Sequence, residues 1–283
     1  MTTAYDTDGL TLLQGDVLDV LPTMEAESVN LIVTSPPFWG LRVYAGCPPS
    51  IWGGDPLCDH EWQLEERKDE SYKGRHRWQD DDVSRAENPE VWQHLQVDAK
   101  DEGSCARCGA WRGWLGLEPE PDCLAWARGE EPCSRCYVCH TRTVLRLLRR
   151  VLRKDGVLFW DIDDSRSGSG PTRQTGLSVS AQTPVKADSR YNHALPPKNL
   201  ALIPERVALA AQMEGWIIRS IAVIPTWMPE SAQDRPTDQY RRCIIMAKSG
   251  RYYWDAVGVR VPNAGSYGNP RPVGGQSREE SGD

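Results

Sequence analysis

Phenylalanine is nearly missing from this chain: 2 residues in 283, against 12 tryptophans. No run of eighteen apolar residues occurs, so no membrane-spanning helix is expected. The opening MTTAYDTDGLTLLQGD carries neither a basic stretch nor an apolar core, which argues against a secretory leader and for a cytoplasmic location. Phosphate-binding fingerprints are absent as well. The loop Gly168-Ser169-Gly170 completes neither a GxGxxG nor a GxxxxGK pattern. Basic charge is in deficit, with 33 Lys and Arg against 40 Asp and Glu, a net of -7. The deficit is local: residues 53–102 hold 15 acidic and 7 basic side chains, so the rest of the chain is close to neutral and can still present a basic groove.

Cysteine is present in an odd number, 9, and eight of these lie between Cys47 and Cys139. In a reducing compartment such clusters point to metal rather than to disulfides. Cys58-x-His60 with Cys105-x2-Cys108 supplies four ligands of the type a tetrahedral zinc site uses. Cys133-x2-Cys136-x2-Cys139-His140 with Cys123 supplies candidates for a second set. With four protein ligands each, both sites would be structural; the alternative is a group of reduced structural thiols. Pro132-Cys133-x2-Cys136 is also half of a zinc nucleobase-deaminase signature. That chemistry needs an upstream His-x-Glu, and none of the 5 histidines has Glu two positions on.

The remaining chain reads as alternating strands and helices. LTLLQGD (10–16) predicts a strand ending at Gly15-Asp16, and VLDVLPTM a short helix or turn. VNLIVTSPP (29–37) is a continuous apolar run of the kind found in a strand buried on both faces of a parallel sheet. TRTVLRLLRRVLRKDG (141–156) places Val144, Leu147, Leu148, Val151 and Leu152 on one face of a helix that stops at Gly156. GVLFWDI (156–162), WIIRSIAVI (216–224) and YRRCIIMAKSG (240–250) predict strands, and IPERVALAAQMEG (203–215) a helix with Pro204 near its start. The organisation expected is an α/β core of mostly parallel sheet over 1–46 and 141–262. A Cys-rich acidic insertion over 47–140 interrupts it, with a mobile middle at 64–102, and a disordered tail covers 263–283.

Ser35-Pro36-Pro37-Phe38 follows the 29–34 strand, at the strand end where open α/β sheets bind ligands. Two prolines make a stiff turn whose carbonyls no helix consumes. Ser35 adds a hydroxyl and Phe38 a flat ring. Acceptors beside a stacking face suit an aromatic amine; the plainer alternative is a strand terminator with core aromatics.

The stretch LLQGDVLDVLPTMEAESVNLIVTSPPFWGLRVY resembles the opening of prokaryotic and phage DNA amino-methyltransferases of the permuted type. So do CDHEW, CARCGAWRGWLGLEP, GVLFWDIDDSRSGSG, PKNLALIPERVALAAQMEGW and MPESAQDRPT followed by RYYWDA, in the family's order over about residues 9–262. The resemblance implies a partial Rossmann-like methyltransferase sheet with a zinc-ribbon-like insertion. It implies transfer of a methyl group from S-adenosyl-L-methionine to the exocyclic amine of a base flipped out of double-stranded DNA, N4 of cytosine being favoured over N6 of adenine. The Ser35 side chain and Pro36 carbonyl would draw on the amine N–H bonds, Phe38 would stack on the base, and Asp16 would touch the cofactor's adenine.

The sequence departs from the family at several points. No Phe-x-Gly-x-Gly methyl-donor loop occurs near the C-terminus, so the donor half would lie in a complementing polypeptide, or the chain would be a catalytically inactive zinc-dependent DNA-binding descendant. Asp161-Ile162-Asp163-Asp164-Ser165 stands where Asn-x-Gly-Asp-Ser is expected. Ile224-Pro225-Thr226-Trp227 replaces a Lys and Asn before Met228-Pro229-Glu230-Ser231, and Tyr240-Arg241 replaces His-Glu.

Overall fold

A computed structural model describes residues 2–7, 9–40, 47–64, 102–167, 195–196, 198–226 and 234–259. The middle of the insertion (including Arg75-His76-Arg77-Trp78), the Gly168-Ser169-Gly170 loop, Met228 to Ser231 and the 263–283 tail lie outside the described residues.

The main sheet consists of β3 (Val29–Thr34), β8 (Leu152–Ile162), β10 (Tyr240–Ala247) and β9 (Ile217–Pro225), in that order. β3 pairs parallel with β8, while β10 runs antiparallel to both β8 and β9. The sheet is therefore mixed rather than mostly parallel. The β8–α3–β9 unit, with α3 at Ile203–Met213, keeps its parallel sense, and β10 fills the gap between its strands from the opposite direction. The fold class is mixed α/β.

Helix α2 (Tyr137–Val151) packs on β8, and α3 packs on α2, β9 and β10. The face they cover is Leu158, Trp160 and Ile162 of β8 with Ile244 and Met246 of β10, each at most 1% exposed. Tryptophan fills the volume that phenylalanine usually fills: Trp39, Trp52, Trp111, Trp160 and Trp216 all belong to one buried cluster with Tyr137, Leu145 and Ile203.

Two boundaries differ from the sequence reading. α2 begins inside the cysteine cluster and ends at Val151; Leu152 is already extended (φ -70°, ψ 135°) and its N–H caps the Leu148 carbonyl. Arg153 to Gly156 thus belong to β8. Gly156 is needed there not to stop a helix but for close approach, since a Cβ would lie 2.6 Å from the Leu152 side chain and 2.9 Å from the Asn30 carbonyl. The second difference concerns β3. Among the described strands it is an edge, not a doubly buried strand, and Leu31 and Val33 are 55% and 73% exposed. A continuous apolar run records that both faces are apolar, not that both are covered.

The predicted N-terminal strand is β2 (Leu10–Gln14), in an antiparallel pair with β1 (Thr2–Thr7). It leads into α1 (Val17–Thr23). Strands from residues 50–113 form a second antiparallel sheet, β4 (Ser50–Trp52), β7 (Trp111–Gly113), β6 (Gly103–Cys105) and β5 (Trp62–Leu64). Its Trp52 and Trp111 are part of the main buried cluster. Residues 253–259 form a separate short unit, a turn in which Asp255 Oδ1 accepts from the N–H groups of Val257 and Gly258.

Candidate functional site

The structure brings together both predicted ligand sets, each with its donor atoms within 4.8 Å of one another. In the first, Cys58 and His60 precede β5, and Cys105 and Cys108 bracket the β6–β7 turn. Cys58 Sγ lies 3.9 Å from Cys105 Sγ, and Cys108 Sγ lies 3.4 Å from His60 Nδ1. In the second, Cys123 Sγ is 3.6 Å from each of Cys133, Cys136 and Cys139. A zinc–sulfur bond of about 2.3 Å puts the ligand atoms of a tetrahedron roughly 3.8 Å apart, so both sets have the size of a zinc cage. They are far too wide for disulfides, and all nine cysteines are free thiols. The donor chemistry fits zinc.

The thiols are strongly unequal. Burial and then the Cys108 and Cys105 sulfurs push Cys58 up to about 12. Cys105 feels burial too, but the Cys108 N–H, His60 and the Arg107 and Glu61 N–H groups bring it down to about 6. In the other set, hydrogen bonds from Cys136 and then Cys139 hold Cys133 far below the usual thiol range, while the Cys123, Cys133 and Cys139 sulfurs push Cys136 up. Four sulfurs at this spacing share protons that a divalent cation displaces.

Ser35-Pro36-Pro37-Phe38 leaves the carboxyl end of β3, whose last residue Thr34 is in register with Trp160 of β8. Ser35 is exposed. Among the described residues, neither its hydroxyl nor the Pro36 carbonyl is hydrogen-bonded. The Pro37 carbonyl is not free: the Tyr137 hydroxyl donates to it at 2.9 Å. Phe38 is half-buried against the core and Trp39 is fully buried. Asp16 is the N-cap of α1; one oxygen accepts from the Leu18 N–H at 2.8 Å and the other from the Ser50 hydroxyl.

Beside Ser35, the end of β8 gathers the residues that depart from the family pattern. Asp161 pairs with Arg241 at 3.1 Å, and Arg242 pairs with Glu205 at 3.0 Å. Asp164 accepts from the Ile203 N–H at 3.1 Å, holding the start of α3. Burial raises the carboxyls of Asp163 and Asp164. Among the described residues, Asp161, Asp164, Ser165 and Glu205 each keep one buried side-chain oxygen without a hydrogen-bond partner. Two departures, Asp161 and Arg241, thus occur as one ion pair.

Sequence reasoning quoted Trp114 to Glu118 only as part of the CARCGAWRGWLGLEP block and gave it no place beside the Ser35–Phe38 turn. Its carbonyls at Gly116 and Glu118 accept from the Gly40 N–H (2.6 Å) and Trp39 Nε1 (3.1 Å). The Glu118 carboxylate is buried, taking the Gly116 N–H at 2.9 Å and lying 2.9 Å from His140 Nδ1. These partners lie 79 residues or fewer apart in no periodic pattern, so no local signal announces them.

The described residues thus combine a mixed α/β sheet, a Pro-Pro turn at the end of β3 and two clusters of potential metal ligands, and the chain is similar to known DNA-modifying enzymes. No protein-family model matches. The Type II methyltransferase M.Cfr9I of Citrobacter freundii is 27% identical over 274 residues, covering 94% of this chain and 64% of its own length. M.SfiI of Streptomyces fimbriatus is 28% identical over 254 residues, 89% of this chain and 39% of its own. M.SmaI of Serratia marcescens is 30% identical over 142 residues, 47% of each chain. The chain is a homologue of the prokaryotic Type II DNA methyltransferases. It spans less than two thirds of the length of these relatives. A solved chain from Thermus thermophilus, a DNA modification methylase by its description and complexed with S-adenosyl-L-methionine, aligns with a TM-score of 0.38 and 11% identity over 86% of this chain and 55% of its own.

Proposed function

We propose that this chain is the base-binding half of a DNA amino-methyltransferase, methylating N4 of cytosine in preference to N6 of adenine. The observation that carries this reading is the unengaged pair of acceptors, the Ser35 hydroxyl and the Pro36 carbonyl, on a turn held rigid by two prolines and by Tyr137. An exocyclic amine is a poor nucleophile because its lone pair is delocalised into the ring. Two acceptors on its N–H bonds localise that pair and stabilise the positive charge that grows as the nitrogen takes a methyl group. One N–H proton then leaves to solvent. S-adenosyl-L-methionine, when bound, supplies the electrophilic methyl. Phe38 offers the stacking face for a base out of the duplex. Asp16, already capping α1, is the residue of this chain assigned to the donor's adenine. The two thiol-rich sites hold structural zinc, and the insertion over 47–140 acts as a module of the core.

Double-stranded DNA is the substrate. A second polypeptide segment carrying the methyl-donor loop completes the enzyme along β3, which is an edge among the described strands and whose Leu31 and Val33 are exposed. Equilibrium binding of S-adenosyl-L-methionine to the zinc-loaded chain, followed by transfer of labelled methyl to DNA, tests the reading. The expected result is transfer that Ser35→Ala reduces by about a hundredfold, the scale for losing one preorganised polar contact. Zinc and DNA binding with no donor binding, alone or with the relatives' remaining segment supplied in trans, would instead identify a DNA-binding descendant.

A further inference from the structure

The four-cysteine set and the Ser35–Phe38 turn are connected by a short chain of contacts. Cys136 caps α2, its sulfur accepting from the Cys139 N–H at 3.4 Å. Tyr137, the first residue of α2, sits between two ligands of that set and is fully buried. Its hydroxyl donates to the Pro37 carbonyl at 2.9 Å, across 100 residues of sequence. Its N–H donates to the Glu120 carbonyl at 3.0 Å, and that of Val138 to Pro121 at 3.2 Å. This ties Glu120 and Pro121, just past the Trp114–Glu118 segment, to the same helix start. His140, one residue past Cys139, locks that segment through Glu118 and lies 2.9 Å from the Ser134 carbonyl within the cysteine loop. From there the Gly116 and Glu118 carbonyls hold Gly40 and Trp39. The contact is close: Gly116 has φ +95°, and a Cβ on it would lie 2.9 Å from the Phe38 carbonyl oxygen and 3.1 Å from Pro37 Cβ.

We infer that the Cys123, Cys133, Cys136 and Cys139 centre is the brace of the Ser35–Phe38 turn, and that Tyr137 and Gly116 are its positioning residues. A stiff Pro-Pro turn alone fixes its own angles but not its place relative to β8. Three hydrogen bonds, from Tyr137, Gly40 and Trp39, place it, and all three end on elements that the cysteine centre anchors. Metal at this centre therefore sets where the Ser35 and Pro36 acceptors stand. The functional part of this inference rests on the methyltransferase reading; the mechanical part does not.

The test is amide hydrogen exchange by NMR on the full, zinc-loaded chain, following the Gly40 N–H, with the Ile244 and Met246 amides of β10 as the reference for the folded core. Tyr137→Phe removes one hydroxyl and retains the ring. We expect Gly40 exchange to rise about fivefold, the scale of one lost hydrogen bond, with β10 unchanged. Gly116→Ala should do the same by steric contact, and chelation of the metal should raise Gly40 exchange at least tenfold. Unaltered Gly40 protection in Tyr137→Phe and Gly116→Ala overturns the brace, whatever the enzyme does. Loss of β10 protection on chelation, with both variants silent, also overturns it, because the metal would then support the whole fold rather than the turn. Where methyl transfer is measurable, Tyr137→Phe should lower kcat with little change in KM for DNA. If no condition gives transfer but Gly40 responds as expected, the methyltransferase reading fails and the brace stands.

Discussion

Cysteine and histidine were the most legible residues in this chain. Cys105-x2-Cys108 and Cys133-x2-Cys136 state their chemistry at close range, and the structure brings both sets to tetrahedral spacing. The proposal of two metal ions per chain can be tested one set at a time. Cys108→Ser should lower the zinc content by one ion per chain and leave the four-cysteine centre loaded; Cys123→Ser should do the converse. Elemental analysis of the dialysed proteins reads this directly, and an unchanged content in either variant removes that site. Affinity for both should fall with acid, because protons compete for the thiolates. Tyr137, Gly116 and Glu118 were not legible. Tyr137 was read as part of the 47–140 insertion, ahead of the helix expected over 141–156, and nothing within several residues of it hints at a carbonyl 100 positions away. A hydrogen bond to a distant backbone atom leaves no composition or spacing behind. Asp16 is intermediate: the family resemblance singled it out, but nothing in the sequence showed that it caps α1 and accepts from Ser50.

At the scale of elements, periodicity located the helices well and their ends less well. α3 occupies the predicted stretch. α2 starts four residues earlier than expected, because Cys136 supplies a cap that a sequence pattern for Ser, Thr, Asp or Asn does not seek. The two helices are held together by ion pairs that amphipathic spacing cannot reveal. Glu214, just past α3, meets Arg142 at 2.6 Å and Arg146 at 2.6 Å on α2. Arg142 and Glu214 are 4% and 9% exposed. Glu214→Gln should destabilise the chain by about 3 kcal/mol, since removing one partner strands a buried charge. The pH dependence carries a sign. Burial raises the Glu214 carboxyl, but hydrogen bonds and charge from Arg146 and Arg142 outweigh it and the net shift is downward from 4.5. A depressed folded value means the stabilisation is complete above the unfolded value and is lost as pH falls through the folded one. Urea unfolding of the parent should therefore weaken below about pH 4.5, and the Glu214→Gln variant should lose that part of the pH slope.

At the scale of the whole molecule, the main sheet has an uncovered apolar strand at one edge among the described strands. The order β3-β8-β10-β9 leaves β3 with one partner among the described strands. The face that Leu31 and Val33 share with Phe159 and Ile245 has no helix of α2 or α3 over it. The sequence predicted the apolar run correctly and its burial incorrectly for one reason: the run was composed to be covered, and the cover is not among the elements described. An uncovered apolar edge strand is a template for another chain. The same property that suits β3 to a complementing segment should make the isolated chain self-associate as its concentration rises. Val33→Lys tests this. At 73% exposure the substitution should cost the fold no more than about 0.5 kcal/mol. It places a charge on the edge, a device natural sheets use against pairing. Sedimentation velocity across a concentration series should show the parent forming larger species and the variant remaining at its monomer mass. The variant should also lose any response to the relatives' remaining segment supplied in trans. Equal association of parent and variant would move the interface elsewhere, and with it the place where a donor-binding segment joins this sheet.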